Sequence, residues 1–141
     1  MKRAAATPGE TQKLALEAMR SHMGSAGPDL LYELMLTEPK ASRIAQDLLT
    51  TPAIRERTTP ALAVAYDLRL APTCSGKVPL LERAAELGDD RSVAILAPLA
   101  TGAKRGCGRK KRDPCQPPCV AEAKRFQDTI ARIGSRSSTR R

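Results

Sequence analysis

Apolar side chains recur at helical spacing along most of the chain. The clearest stripe consists of Ala41, Ile44, Ala45, Leu48 and Leu49. Polar side chains occupy the opposite face of the same segment, as in an amphipathic helix that packs on a core. No segment has the sustained alternation of period two that a half-buried strand requires. The pattern therefore predicts an all-α protein.

Capping residues, prolines and glycines divide this pattern into about six to seven helices. Thr51-Pro52 and Thr59-Pro60 each place a threonine cap before a proline in the first helical position. Gly88 is expected in the left-handed conformation that commonly ends a helix. Asp89 or Asp90 is then expected to cap the next helix.

We expect residues 7–133 to form one helical domain, with a basic, cysteine-containing loop at residues 101–118. The last helix is expected at residues 119–133, where apolar side chains again follow helical spacing. Residues 1–6 are expected to be flexible. Residues 134–141 are rich in serine and arginine, so a disordered basic tail is expected there.

Residues 81–96 read LERAAELGDDRSVAIL, in which one helix ends at Gly-Asp and Arg91 soon opens the next. This segment resembles one repeat of the HEAT family, although Ala94 stands where the family pattern has a proline. Each hairpin of such a repeat leaves an apolar face that only a neighbouring hairpin can cover. The resemblance implies stacked antiparallel helix pairs in a short right-handed solenoid.

Several further segments carry a wider resemblance: LLYEL (30–34), TPAL (59–62), YDLR (66–69), TC (73–74) and GCG (106–108). Together they resemble the helical region that follows the catalytic domain of some bacterial serine/threonine kinases. The chain has no glycine-rich nucleotide loop and no His-Arg-Asp or Asp-Phe-Gly motif of a kinase. The resemblance therefore implies an accessory role in binding or regulation.

Composition narrows the class of protein further. Aromatic residues make up 2% of the chain, which favours closely packed helices over a β-sandwich. No apolar run reaches the roughly 20 residues that span a bilayer, so no membrane span is expected. Thr7-Pro8-Gly9-Glu10 interrupts the basic start, so no signal peptide is expected. We expect a cytoplasmic location, or an extracytoplasmic part of a larger protein if the cysteines form disulfides.

The net charge of +9 is concentrated near the C-terminal end. Residues 1–102 hold 12 basic and 12 acidic residues, whereas residues 103–141 hold 12 basic and three acidic residues. The densest cluster comprises Lys104, Arg105, Arg109, Lys110, Lys111 and Arg112. Such a cluster attracts nucleic acid or another anionic surface, and a solvated loop that merely carries charge is the other interpretation. It contains no aromatic side chain on which bases could stack.

Four cysteines are the main candidates for site chemistry: Cys74, Cys107, Cys115 and Cys119. As thiolates around one structural zinc ion, they would fix the loop at residues 101–118 to the helices. Two disulfides, or free and partly paired thiols, are the alternatives, because the spacing lacks two clean Cys-x2-Cys pairs. Each role is structural, since a catalytic cysteine needs a nearby base and the single histidine, His22, lies at a predicted helix end.

These features favour a non-enzymatic protein–protein interaction module of helical-repeat type, associated with a kinase if the wider resemblance holds. The alternative is a nucleic-acid-binding module that uses residues 104–112 and 124–141. A redox enzyme built on the cysteines is a third, weaker hypothesis. No catalytic residue is expected, and structural zinc is the sole cofactor considered.

Overall fold

Residues 9–140 are described by the computed structural model, except for the side chains of Thr11, Gln12 and Arg20. Every regular element in this range is a helix, which confirms the all-α prediction. The range contains no strand, and its isolated β-bridge joins Cys107 to Asp113. Residues 1–6, predicted to be flexible, lie outside the described range.

The chain divides into two compact units, with the boundary in the sequence between Thr59 and Pro60. This division differs from the single domain predicted over residues 7–133. Its physical reason is that each set of helices buries its own apolar side chains. No helix between residues 9 and 140 is both long enough and apolar enough to cross a membrane.

The first unit contains helices α1 Glu10–Ser21, α2 Ala26–Thr37, α3 Pro39–Thr50 and α4 Pro52–Arg55. Helix α2 packs on both α1 and α3. The side chains at these contacts are almost wholly buried, among them Leu16, Met19, Leu31 and Leu34. Pro52 begins α4, as the sequence predicts, and Pro39 also begins α3, because the first helical position needs no intrahelical N–H donor. The predicted threonine cap of α4 is wrong, since the Thr51 hydroxyl donates to the Leu48 carbonyl oxygen at 2.7 Å.

Two apolar residues face solvent in this unit. The exposed fraction is 69% for Leu14 of α1 and 39% for Ile44 of α3. Ile44 belongs to the stripe that the sequence predicts to be buried. The neighbouring alanines Ala15 and Ala45 are buried instead. The side of α1 that packs on the core also carries Leu16, which is 1% exposed, so Leu14 lies beside this buried face and not on it.

The second unit contains helices α5 Pro60–Leu70, α6 Cys74–Lys77, α7 Leu81–Leu87, α8 Asp90–Ala100 and α9 Ala123–Thr139. Its core consists of Val64, Leu68, Leu81, Ala84, Leu96, Ala100, Cys119 and Phe126. The Phe126 side chain is fully buried, and it is the largest in this cluster. Four helices thus share one core, while residues 101–122 run outside regular helices.

A proline separates α6 from α7. Helix α6 ends at Lys77, and Pro79 lies in a 3-10 turn before α7 begins. The Lys77 ammonium donates hydrogen bonds to the carbonyl oxygens of Leu68 (2.6 Å) and Ala71 (2.5 Å). Burial of this ammonium lowers the pKa of Lys77. The buried cation therefore satisfies carbonyl groups that the end of α5 leaves without partners.

The turn between α7 and α8 depends on close packing. Gly88 is extended, with φ −65° and ψ 161°, so the predicted left-handed conformation is wrong. A glycine is required because a Cβ atom would lie 2.4 Å from the Ala84 carbonyl oxygen. The predicted aspartate cap is confirmed, since Asp89 Oδ1 accepts a hydrogen bond from the Arg91 amide at 3.0 Å.

Helix α9 lies further toward the C-terminus than the predicted helix at residues 119–133. It begins at Ala123, after turns at residues 118–122, and continues to Thr139. Residues 134–139 are therefore helical, which corrects the expectation of a disordered tail. The physical reason is a set of arginine contacts from α9 to α7, described below.

Helices α7 and α8 form the hairpin at residues 81–96 that resembles a HEAT repeat. Both helices pack mainly on α5 and α9 and make fewer contacts with each other. A shared core thus replaces the close antiparallel pair that defines a repeat hairpin. The stacked solenoid stays a prediction.

Candidate interaction surface: a basic loop closed by a disulfide

The four cysteines form two disulfides, Cys74–Cys119 and Cys107–Cys115. Of the arrangements that the sequence leaves open, this is the one that the structure contains. One zinc ion would instead need four thiolates around a single point. Among the described side chains, no group of three His, Cys, Asp or Glu residues could hold a metal ion.

The Cys74–Cys119 disulfide lies at the edge of the second unit's core. The Cys119 side chain is buried among the core residues, and Cys74 packs against the same cluster. The Cys119 amide also donates a hydrogen bond to the Leu99 carbonyl oxygen at 3.0 Å. The C-terminal end of the basic loop, residues 101–118, is therefore fixed to α6 and α8.

The Cys107–Cys115 disulfide closes the basic loop into a short hairpin. The Cys107 amide donates to the Asp113 carbonyl oxygen (3.1 Å), and the Asp113 amide donates to the Cys107 carbonyl oxygen (3.0 Å). Below this bridge, the Cys115 amide donates to the Ala103 carbonyl oxygen at 2.8 Å. The two sides of the hairpin are thus joined by backbone hydrogen bonds as well as by the disulfide.

The tip of the hairpin uses backbone conformations that few residues adopt. Gly108 has φ 76°, and Lys111 has φ 51°, in the left-handed region. The Lys111 amide donates to the Gly108 carbonyl oxygen at 3.1 Å, which closes the turn. The positive φ favours glycine at Gly108, and a Cβ atom there would also force the Asp113 carboxylate, 1.8 Å away, to move.

The hairpin and its base present the six cations predicted from the sequence, and all six side chains are exposed: Lys104, Arg105, Arg109, Lys110, Lys111 and Arg112. None of them forms an ion pair with another described residue. The Cys107–Cys115 disulfide closes the loop that carries four of these cations, Arg109, Lys110, Lys111 and Arg112.

The cations of α9 make a different set of contacts. Arg132 donates two hydrogen bonds to the Glu82 carboxylate, at 2.9 and 2.7 Å. These bonds lower the pKa of Glu82 and raise the pKa of Arg132. Arg136 donates to the Gly88 carbonyl oxygen, and Lys124 lies 3.7 Å from the Asp128 carboxylate. Part of the positive charge at residues 124–141 is therefore engaged within the protein.

A cleft of about 290 Å³ lies beside the Arg132–Glu82 ion pair, between α7 and α9. Its charged lining residues are Glu82, Arg125, Asp128 and Arg132. The two carboxylates are paired with the cations Arg132 and Lys124. The remaining lining residues of the cleft are Val78, Leu81 and Thr129.

Sequence reasoning located all six cations and all four cysteines, but it left the cysteine pairing open. The residues 107–115 read CGRKKRDPC, with glycine after one cysteine and Asp-Pro before the next. Glycine, aspartate and proline are the residues that favour turns, so this spacing is the signal for a closed hairpin. His22, predicted at a helix end, follows α1 and is exposed.

Comparison of the chain with models of known protein families, with curated proteins and with solved structures gave no match. The HEAT-like and kinase-associated resemblances therefore stay predictions.

Proposed function

We propose that the chain is a non-enzymatic interaction module whose basic loop binds an acidic segment of a protein partner. The observation that carries this proposal is the hairpin closed by Cys107 and Cys115, which presents four exposed cations, with two more at its base. None of the six forms an ion pair with another described residue. A partner's carboxylates supply the charges that this surface lacks. Complementary potentials of this kind steer two proteins together and fix their orientation.

The closed hairpin lowers the entropic cost of binding. Ordering a flexible side chain or loop at an interface costs about 0.5–1.5 kcal/mol per immobilised side chain. Here the backbone of the loop is already ordered by the Cys107–Asp113 bridge and the bond from Cys115 to Ala103. Only the side-chain ends remain to be ordered when a partner binds.

Three observations favour an acidic protein over nucleic acid as the partner. The loop has no aromatic side chain for base stacking. Arg132, Arg136 and Lys124 are engaged in internal contacts, which interrupts the basic track along α9 that a nucleic acid backbone would follow. Disulfides persist in oxidising compartments, so we place the module outside the reducing cytosol. Nucleic acid is scarce in such oxidising compartments.

The non-enzymatic assignment is supported by the chemistry of the titrating groups. The lowered pKa of Lys77 accompanies its role at the end of α5, and the shifted pKa values of Glu82 and Arg132 result from their mutual ion pair. Catalytic sites arrange perturbed groups around a reacting atom, whereas Glu82 and Arg132, which line one cleft, are engaged with each other. Here the shifts have structural causes. The accessory role implied by the kinase-associated resemblance agrees with this assignment.

The test uses the full, oxidised chain and two probes of matched length: a fluorescent glutamate-rich peptide and mixed-sequence single-stranded DNA. Anisotropy titrations at two salt concentrations give the affinity for each probe and its salt dependence. We expect peptide binding that falls at least tenfold in the variant R109Q/K110Q/K111Q. The matched control K40Q/R43Q/R125Q removes three exposed cations outside the loop and is expected to leave the affinity within about twofold.

A second variant separates loop shape from charge. C107S/C115S keeps all six cations but opens the hairpin, and we expect its peptide affinity to fall about three- to tenfold through the added ordering cost. Tighter binding to DNA than to the peptide, with a salt slope near −0.7 per neutralised phosphate, would favour the nucleic-acid alternative. Equal losses in the loop variant and the control variant would rule out the basic loop as the binding surface.

A further inference from the structure

We propose that two copies of this chain form a symmetric dimer through an apolar groove between α1 and α3. The groove has a volume of about 380 Å³ and is lined by Lys13, Leu14, Leu16, Glu17, Ile44 and Leu48. No residue of the basic loop takes part, so this proposal is independent of the proposed function. Both helices belong to the first unit, which supplies the whole surface.

The groove carries a protruding side chain and a depression on the same face. Leu14 stands at the rim with an exposed fraction of 69%, the largest among the large hydrophobic side chains described. Leu16 forms the floor, at 1% exposure, and Ile44 forms part of the opposite wall, at 39% exposure. When two copies meet across a two-fold axis, the Leu14 side chain of each can enter the groove of the other.

The charges at the rim are complementary to a second copy. Lys13 and Glu17 flank Leu14 and lie one helical turn apart on α1. An antiparallel approach of two α1 helices brings Lys13 of one copy opposite the partner's Glu17, and the symmetry repeats the pair. Both partners already make contacts, Lys13 with Glu10 (3.4 Å) and Glu17 with the Ser21 hydroxyl (3.1 Å). These two contacts are solvent-exposed, so they are readily exchanged for the new pair.

These features identify a second copy, in preference to a foreign helix, as the occupant of the groove. A two-fold interface requires one patch to hold both halves of every contact. This patch holds the protruding leucine, the depression that receives it, one cation and one anion. Burial of exposed apolar surface then supplies the driving force for association.

The experiment measures the oligomeric state of the full, oxidised chain by sedimentation equilibrium over a concentration series. We expect a concentration-dependent dimer for the native sequence. L14E is expected to weaken it at least 100-fold, because a carboxylate would enter an apolar groove. The matched control L36E makes the same substitution at another exposed leucine. Leu36 is 44% exposed and lies on α2 outside the groove, so L36E is expected to leave the dimer intact. Circular dichroism confirms that each variant keeps its helical content.

Exchanging the charges tests whether the dimer is specific, because non-specific association would not be restored by a compensating substitution. K13E and E17K each place like charges opposite one another in a homodimer and are expected to weaken it. The double variant K13E/E17K restores both pairs, and a mixture of the two single variants forms the heterodimer. A native chain that stays monomeric up to about 1 mM overturns the proposal. Equal weakening by L36E and L14E, or a double variant as weak as the single variants, also overturns it.

Discussion

The Cys74–Cys119 disulfide joins two segments that other contacts already hold in place. Cys119 has 2% of its surface exposed, and its amide donates to the Leu99 carbonyl oxygen at 3.0 Å. The hydroxyl of Thr73, which caps α6, accepts from the Gly76 amide at 3.0 Å. The native backbone is therefore expected to survive in the variant C74A/C119A. Removal of the disulfide then destabilises the fold mainly by raising the conformational entropy of the unfolded chain.

The size of that effect follows from the length of chain between the cysteines. The bond closes a loop with a sequence separation of 45. Cross-linking a loop of this length stabilises the folded state by about 4 kcal/mol in the chain-entropy model. At about 4–8 °C per kcal/mol for a unit of this size, the melting temperature should fall by roughly 16–32 °C. Loss of two sulfur atoms from the core edge adds to the effect.

The second disulfide provides the matched comparison. Its separation of 8 corresponds to about 2.6 kcal/mol in the same model. That value applies only if the closed loop stays ordered without the bond. The Cys107–Cys115 loop lies outside the core, so the opened loop gains freedom in the folded state as well. We therefore expect C107A/C115A to lower the free energy of unfolding by less than about 1 kcal/mol.

Urea unfolding of both variants and the native chain, followed by circular dichroism without reductant, measures these differences. The expected order is a large loss for C74A/C119A and a small loss for C107A/C115A. Equal losses would contradict the argument, because they would mean that loop length and core burial do not decide the effect. A loss below about 1 kcal/mol for C74A/C119A would show that the unfolded chain is not the state that this bond constrains.

Three further substitutions test the packing of the second unit. G88A is expected to destabilise it by about 1–3 kcal/mol in urea unfolding, because the new Cβ lies 2.4 Å from the Ala84 carbonyl oxygen; an unchanged midpoint would contradict this. S92A is expected to be neutral or stabilising by up to about 1 kcal/mol, because the fully buried Ser92 hydroxyl has no hydrogen-bond partner; a clear loss would indicate an unrecognised partner. Since Arg132 lowers the pKa of Glu82, the ion pair stabilises the fold above the ordinary glutamate pKa of about 4.5 and is lost as the pH falls through the lowered value. Melting curves over pH should show this loss in the native chain and not in E82Q.

Local sequence signals determined which segments become helices. Pro52 and Asp89 start helices where the pattern predicts, because the first turn needs a cap and tolerates the missing N–H of proline. The apolar stripe at residues 41–49 likewise lies on one helix, α3. These features depend on neighbours within about four residues, which the sequence displays directly. The six cations of the basic loop are exposed for an equally local reason, since unpaired charges are costly to bury.

Contacts between residues distant in the sequence decided the cysteine pairing, the exposure of some apolar side chains and the end of the last helix. Cys107 pairs with Cys115 because a hairpin brings them together, whereas Cys74 meets Cys119 only when α6 and the end of the basic loop share a core. The exposure of Leu14 and Ile44 depends on which faces of α1 and α3 pack on α2, and those contacts are made from both ends of the first unit's sequence. Helix α9 extends to Thr139 because Glu82 of α7 and the Gly88 carbonyl that follows α7 supply partners for its arginines. In each case the deciding energy comes from a partner far away in the chain, so helical periodicity alone does not contain it.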